Sequence, residues 1–135
     1  MKILIIQEKS RHEKNINFRE SENLKRAFLK KNIICEIWGL GYENFNIPFE
    51  LMVQNFDVIF CIENYDNGWV PDLSLYKNKL KIFWSIDSHC VLQKHVVGVI
   101  KNKYDIVLNS IEEHQAYFSA FSKTLDRKST RLNSS

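Results

Sequence analysis

Short apolar runs alternate along this chain with longer amphipathic stretches. Five of the runs are rich in β-branched and aromatic residues and have polar boundaries, as is typical of strands buried on both faces. They lie at residues 3–6, 33–38, 57–62, 80–86 and 106–108. Helical spacing predicts helices at about 17–31 and 91–102 and a last helix after Ser110, with Ala116, Tyr117 and Phe121 facing inward. The alternation predicts an α/β fold, a Rossmann-like doubly wound parallel sheet of about five strands with helices on both faces.

The run at 80–86 stops abruptly at Asp87, Ser88 and His89. Ligands of open α/β sheets bind outside the carboxyl ends of the strands, so this polar triplet marks the candidate site. In the common strand order 3-2-1-4-5, the first and fourth strands are neighbours, which would bring Gln7 and Glu8 beside the triplet. We therefore expect a polar crevice for a hydroxyl-rich ligand, with these binding candidates: Gln7, Glu63, Asn64, Ser88, Asn109 and Ser110. Alternatively, Asp87 and Ser88 cap the following helix, and the two roles are compatible.

Two residues of the triplet are the catalytic candidates. His89 suits a general base because the reference pKa of histidine lies near neutrality. Asp87 either orients the imidazole or is itself the base. A metal site formed by Asp87, His89 and His95 is the weaker alternative. No zinc-type spacing supports it, and His95 falls where an ordinary helix-surface residue is expected.

Trp69 is a further binding candidate, because it directly follows the turn signal at 66–68. An aromatic ring on such a loop either stacks on a sugar face or forms a hydrophobic lid over the sheet, and the sequence leaves both roles open.

The last ten residues, 126–135, resemble the translation of a widely used sequencing adapter. We expect them to be a non-native, disordered tail, with residues 1–125 forming one domain and the natural gene continuing past Leu125. The whole chain has 19 Lys and Arg against 16 Asp and Glu, a net charge of +3. The tail carries +2 of this, so the domain itself is close to neutral. Nothing predicts a nucleic-acid partner.

Cysteine usage and hydropathy restrict the compartment. Cys35, Cys61 and Cys90 are odd in number and lack C-x-x-C spacing, which indicates reduced structural thiols. The first apolar run is too short for a signal peptide, and no run reaches the roughly 20 residues that span a bilayer. We expect a soluble, cytoplasmic protein without a membrane span.

Several common enzyme motifs are absent from the sequence. The first strand-to-helix turn has no G-x-G-x-x-G, which argues against a dinucleotide cofactor there. The chain also has no G-x-x-x-x-G-K-[ST] phosphate loop and no G-x-S-x-G nucleophile elbow.

Three segments together resemble the amino-terminal half of the CgeB-like glycosyltransferases: 69–72 (WVPD), 80–89 (LKIFWSIDSH) and 104–110 (YDIVLNS). In that family, a strand ending in an Asp-containing polar turn is followed by a strand that begins Tyr-Asp. The resemblance covers most of residues 1–125, and its motifs are moderately specific.

The resemblance implies a GT-B architecture, in which two Rossmann-like domains face a cleft. The amino-terminal domain would face the sugar acceptor, and a carboxyl-terminal domain, absent from this chain, would hold the nucleotide-sugar donor without a required metal. Asp87 and His89 would then be catalytic, and the binding candidates would contact the acceptor. We expect a fragment without its donor domain to be inactive by itself, with no cofactor of its own.

Two other function classes fit the same pattern. A flavodoxin-like or receiver-like binding or signalling module has the same alternation of strands and helices. A receiver needs paired acids after the first strand and a phosphoacceptor Asp after the third, whereas these strands end in Gln7-Glu8 and Glu63-Asn64. The third class is a non-catalytic structural domain of a larger assembly.

Overall fold

A six-stranded, all-parallel sheet forms the centre of the molecule. The computed structural model describes residues 1–9, 19–63, 68–86, 88–110, 114–120 and 122–126, with the backbone alone at 88–91, 125 and 126. The strands are β1 (Lys2–Ile6), β2 (Ile34–Trp38), β3 (Val58–Ile62), β4 (Leu80–Ser85), β5 (Ile106–Asn109) and β6 (Lys123–Asp126). The predicted α/β class is confirmed. The sequence pattern missed β6, which pairs with β5 along its length.

The order of the strands differs from the one assumed from sequence. The sheet runs β2-β1-β3-β4-β5-β6, so β3 lies between β1 and β4. The assumption that the first and fourth strands are neighbours was therefore wrong. The chain turns from β1 to β2 on one side and then crosses back to add β3 on the other side of β1. The topological switch point consequently lies between β1 and β3, as in flavodoxin-like sheets.

Helices cover both faces of the sheet. They are α1 (Glu20–Lys30), α2 (Phe49–Met52), α3 (Ser88–Asn102) and α4 (Gln115–Ser119), with 3-10 turns at Glu43–Asn46, Val53–Asn55 and Leu73–Leu75. One core cluster includes Leu24 and Phe28 of α1, and the other includes Val99 of α3 and Phe118 of α4. All five residues of β3 are buried, because apolar side chains cover both of its faces.

The last helix packs differently from the prediction. Ala116 and Tyr117 are exposed, whereas Phe118 is fully buried. The helix is only five residues long, because the chain must return to begin β6 at Lys123, and it directs one large apolar side chain at the core. Phe121 lies outside the described residues. Among the residues that are described, no helix is both long and apolar enough to cross a bilayer.

Candidate functional site

The carboxyl edge of the sheet brings together several of the residues predicted from the sequence. Gln7, Glu63, Asn109 and Ser110 all occur where a strand ends at this edge. Asn64 and Asp87 lie outside the described residues. Ser88 and His89 are described by their backbone alone, in the first turn of α3. The catalytic pair predicted from the sequence thus remains a prediction.

Gln7 connects β1 to the start of α1. Its side chain is buried, and its Oε1 accepts a hydrogen bond from the backbone N–H of Ser21 at 3.0 Å. Its Nε2 donates to Oε2 of Glu20 at 3.2 Å. The N-cap residue, Arg19, makes no side-chain capping bond, so Gln7 satisfies an N–H that the helix leaves open. Both ends of the Gln7 amide are therefore used inside the protein.

Glu63 ends β3 in an unusual backbone conformation. Its φ is +56°, in the left-handed region that non-glycine residues seldom adopt. Among the described residues, two other non-glycine residues have a positive φ, Asn32 and Lys103. Asn32 lies two residues after the end of α1 and Lys103 directly follows α3, and a positive φ is common just after a helix end. Glu63 follows a strand instead, so helix termination does not account for its conformation. Residues held in this way often belong to functional sites.

The Glu63 carboxylate reaches across to β4. Its Oε1 accepts a hydrogen bond from the backbone N–H of Ile86 at 2.7 Å. The short distance is typical of a bond to a charged acceptor. The backbone N–H of Glu63 also donates to the carbonyl of Trp84 at 3.2 Å. Glu63 therefore holds the main chain at two points around the end of β4, Trp84 and Ile86, immediately before Asp87 in the sequence.

His95 of α3 joins this arrangement, and its predicted surface position was wrong. Its side chain is fully buried, with Nδ1 2.7 Å from Oγ of Ser85 and Nε2 3.8 Å from Oε2 of Glu63. The ring also packs edge-on against Phe83, with 5.3 Å between centroids. The sequence did carry the signal: His95 is three residues after Leu92 and four before Val99, so all three share one helix face.

Serine, histidine and glutamate are the components of a hydrolase triad, but this arrangement does not suit nucleophilic attack. Ser85 is fully buried, so no substrate carbonyl can reach its hydroxyl. Nδ1 of His95 shares a hydrogen bond with the Ser85 hydroxyl, and Nε2 faces the Glu63 carboxylate at 3.8 Å. The three side chains form an internal polar network that links the ends of β3 and β4 to α3. We call this set the Glu63–His95–Ser85 network.

The environment around the network is apolar and holds a protonated thiol. Burial raises the pKa of Cys61 to about 12; a hydrogen bond with Tyr104 opposes this shift, and the charge of Glu63 adds a smaller increase. Burial also raises the pKa of Cys35 to about 11. Both thiols are free. The expected reduced structural thiols are thus present at these two positions, while the Cys90 side chain lies outside the described part.

The end of β5 completes the carboxyl edge next to β4. The Ser110 N–H donates to the carbonyl of Ser85 at 3.2 Å, and its hydroxyl accepts from Nε1 of Trp84 at 3.3 Å. Asn109 pairs in register with Ser85 and is 2% exposed. Ser110 is half-buried, so its hydroxyl is the more accessible of these two polar groups.

Trp69 packs on the aromatic part of the core. Its ring centroid lies 6.0 Å from that of Trp38 and 5.8 Å from that of Phe45. The ring also lies close to Gly39: a Cβ added to Gly39 would be 3.2 Å from the indole. The ring is half-buried, so it closes over this cluster while keeping part of its surface exposed.

A groove of about 330 Å³ lies beside α1 and β2, lined by Lys9, Glu22, Lys25, Glu36, Ile37, Tyr42, Glu43 and Asn44. Its charges are largely compensated within the protein. Lys25 lies 3.7 Å from Glu36, the Tyr42 hydroxyl donates to Glu22 at 3.0 Å, and the Lys9 ammonium lies over the Tyr42 ring. Asn44 differs from these groups: its Nδ2 donates to the Ile37 carbonyl at 2.7 Å, while its buried Oδ1 has no hydrogen-bond partner among the described residues.

Within the described ranges, no group of three or more His, Cys, Asp and Glu side chains could hold a metal ion. The predicted trio of Asp87, His89 and His95 extends beyond those ranges. No family model matches the chain, and neither the curated proteins nor the solved structures contain a significant match.

Proposed function

We propose that this chain is the acceptor-side domain of a glycosyltransferase that transfers a sugar from a nucleotide-sugar donor to a hydroxyl-bearing acceptor. The observation that carries the proposal is the hydrogen bond from the Ile86 N–H to the Glu63 carboxylate, which joins two neighbouring strand ends at the edge where α/β sheets bind ligands. The resemblance of segments 69–72, 80–89 and 104–110 to the CgeB-like enzymes supports the specific reaction. The donor would bind a second domain, carboxyl-terminal to this one.

In this proposal Asp87 and His89 follow the fixed end of β4 and provide the acceptor contact and the general base. Ser110, on the adjacent strand end, offers a partly exposed hydroxyl for hydrogen bonding to a sugar. The remaining exposed surface of Trp69 offers an apolar face near the same edge. A neutral, polyhydroxylated acceptor suits these groups, because together they provide hydrogen bonds and an aromatic surface.

Binding of simple sugars to the chain tests the proposal directly. We would titrate the ¹⁵N-labelled 135-residue chain with methyl glycosides and, separately, with uridine diphosphate. Glycosides should shift the amide resonances of Gly68, Ile86 and Ser110, with millimolar affinity, whereas the nucleotide should leave them unchanged. Ser110→Ala should weaken glycoside binding. Ser74→Ala, in a 3-10 turn whose hydroxyl bonds to Asp72, is the matched control and should not. Shifts that are absent, or that lie elsewhere, would refute the acceptor site.

The reading frame in the source DNA provides an independent test. The proposal expects the natural frame to continue past Leu125 into a second βα-repeating domain with an acidic residue placed for a ribose. A frame that stops shortly after this position would remove the basis for a two-domain enzyme.

The observed strand order favours one other candidate, a stand-alone flavodoxin-like or receiver-like module. Flavodoxin and receiver domains have the same order at the switch point, between β1 and β3. The residues at that point fit a receiver poorly, because Gln7 is engaged in capping α1 and Glu63 occupies the position of the phosphoacceptor Asp. Incubation with acetyl phosphate and with flavin mononucleotide separates the hypotheses. Phosphorylation or tight flavin binding would favour the module.

A further inference from the structure

We propose that Glu63 is a positioning residue, which fixes the end of β4 through the Ile86 amide, and that it makes no direct contact with the ligand. This inference rests on the proposed function for the identity of the ligand, whereas the contacts of the Glu63 carboxylate are independent of that function. It also changes the role expected for Glu63, which the sequence placed among the acceptor-binding residues.

The contacts of the Glu63 carboxylate support this assignment. One oxygen accepts from Ile86 at 2.7 Å, and the other faces Nε2 of His95 at 3.8 Å. The side chain is 11% exposed. A group whose two oxygens both face inward has little capacity left to bind an incoming sugar, whereas it is well placed to hold the main chain.

The end of β4 is fixed from both sides. Glu63 holds Ile86 from the β3 side, and Ser110 donates its N–H to the Ser85 carbonyl from the β5 side. The His95 ring supports the Glu63 carboxylate from α3 and bonds to Ser85 at 2.7 Å. Glu63 makes these contacts from a backbone with a left-handed φ of +56°.

A second carboxylate provides an internal control. At the opposite end of β4, Oδ2 of Asp105 accepts from the backbone N–H of Lys81 at 2.8 Å. The two bonds have the same chemistry and nearly the same length, but they lie at opposite edges of the sheet. Asp105→Asn should therefore remove the charge from the bond at the start of β4 without affecting ligand binding at the carboxyl edge.

The experiment follows the Ile86 amide in spectra of the full chain. The amide proton should resonate far downfield and move upfield as acid protonates Glu63, and the ring nitrogens of His95 should show the Nε2–H tautomer. Glu63→Gln should abolish the response of the Ile86 amide to acid, whereas Asp105→Asn should leave that response intact. An Ile86 amide that does not respond to acid, or an Nδ1–H tautomer, would overturn the inference whatever the chain binds.

Binding of methyl glycosides then distinguishes positioning from contact. Glu63→Gln retains an oxygen for Ile86 and should keep the affinity within about twofold, whereas Glu63→Ala should lose about tenfold, equivalent to one lost hydrogen bond. Equal losses in both variants, with the amide pattern intact, would mean that Glu63 contacts the sugar and would overturn the inference. If the unaltered chain binds no glycoside, the proposed function fails, and the titration of Ile86 alone decides the role of Glu63.

Discussion

The hydroxyl of Ser85 lies 2.7 Å from Nδ1 of His95, and both side chains are completely buried. This bond joins the last residue of β4 to the middle of α3. A polar pair in such a position is costly to break, because a partner left alone loses its hydrogen bond without regaining water.

The Ser85–His95 bond should be measurable by a double-mutant cycle. We expect Ser85→Ala and His95→Leu each to lower the free energy of unfolding by about 1–3 kcal/mol, with a coupling energy of about 1 kcal/mol between them. Urea denaturation of the four proteins provides the values. Ser119→Ala is the control, since this exposed hydroxyl bonds only within its own helix, to the Ala116 carbonyl. Additive effects would show that the bond adds no stability.

Gly39 is required by the close approach of β1. A Cβ at this position would lie 2.1 Å from the backbone oxygen of Gln7 and 2.7 Å from its carbonyl carbon. Since backbone atoms cannot rotate away, Gly39→Ala should displace the end of β2 and destabilise the protein by about 2–4 kcal/mol. Thermal unfolding measures the loss. The neighbouring Leu40 is exposed, so Leu40→Ala should change stability by less than about 0.5 kcal/mol. Comparable losses would contradict the prediction.

The buried thiol of Cys61 should make stability fall at alkaline pH. Burial raises its pKa from 9.0 to about 12, so the folded protein binds a proton that the unfolded chain releases. The resulting stabilisation is complete below pH 9 and is lost as the pH rises towards 12. Urea denaturation between these limits, with a reductant present, should show a steeper decline for the unaltered chain than for Cys61→Ala.

Cys35 provides the graded comparison for that experiment. Its pKa is raised only to about 11, so Cys35→Ala should flatten the alkaline decline less than Cys61→Ala does. Iodoacetamide at neutral pH should also label both native thiols slowly, because the reactive thiolate is scarce. Rapid labelling of Cys61 in the folded chain would contradict its burial.

Asn102 supports the 3-10 turn before β4. Its Oδ1 accepts from the buried N–H of Leu73 at 2.8 Å, and its Nδ2 donates to the Gly98 carbonyl at 3.0 Å. Asn102→Ala leaves the Leu73 N–H without this acceptor and should cost about 1–3 kcal/mol. Chemical denaturation tests this, with the exposed Asn46→Ala as control. An Asn102→Ala protein as stable as the control would show that another acceptor replaces the side chain.

The sequence predicted the parts of the fold that depend on local pattern. The residues around Ile59 form a continuous apolar run, and all five residues of β3 are buried, as such a run predicts. Burial along β4 alternates instead, because its second face is only partly covered. The last strand, at Lys123–Asp126, was not predicted, because three of its four residues are polar and no hydrophobic pattern marks it. Its backbone pairing with β5 places it in the sheet.

The sequence by itself determined the α/β class and the polar strand ends, because hydrophobic period and run length are local properties. Only the tertiary structure decided which strand ends meet. Nothing local to Gln7, Glu63 or Ile86 specifies that β3 enters between β1 and β4, since the order depends on how the crossovers pack on the whole sheet. The same holds for His95, whose helix position was visible, but whose partners Ser85 and Glu63 come from two other elements.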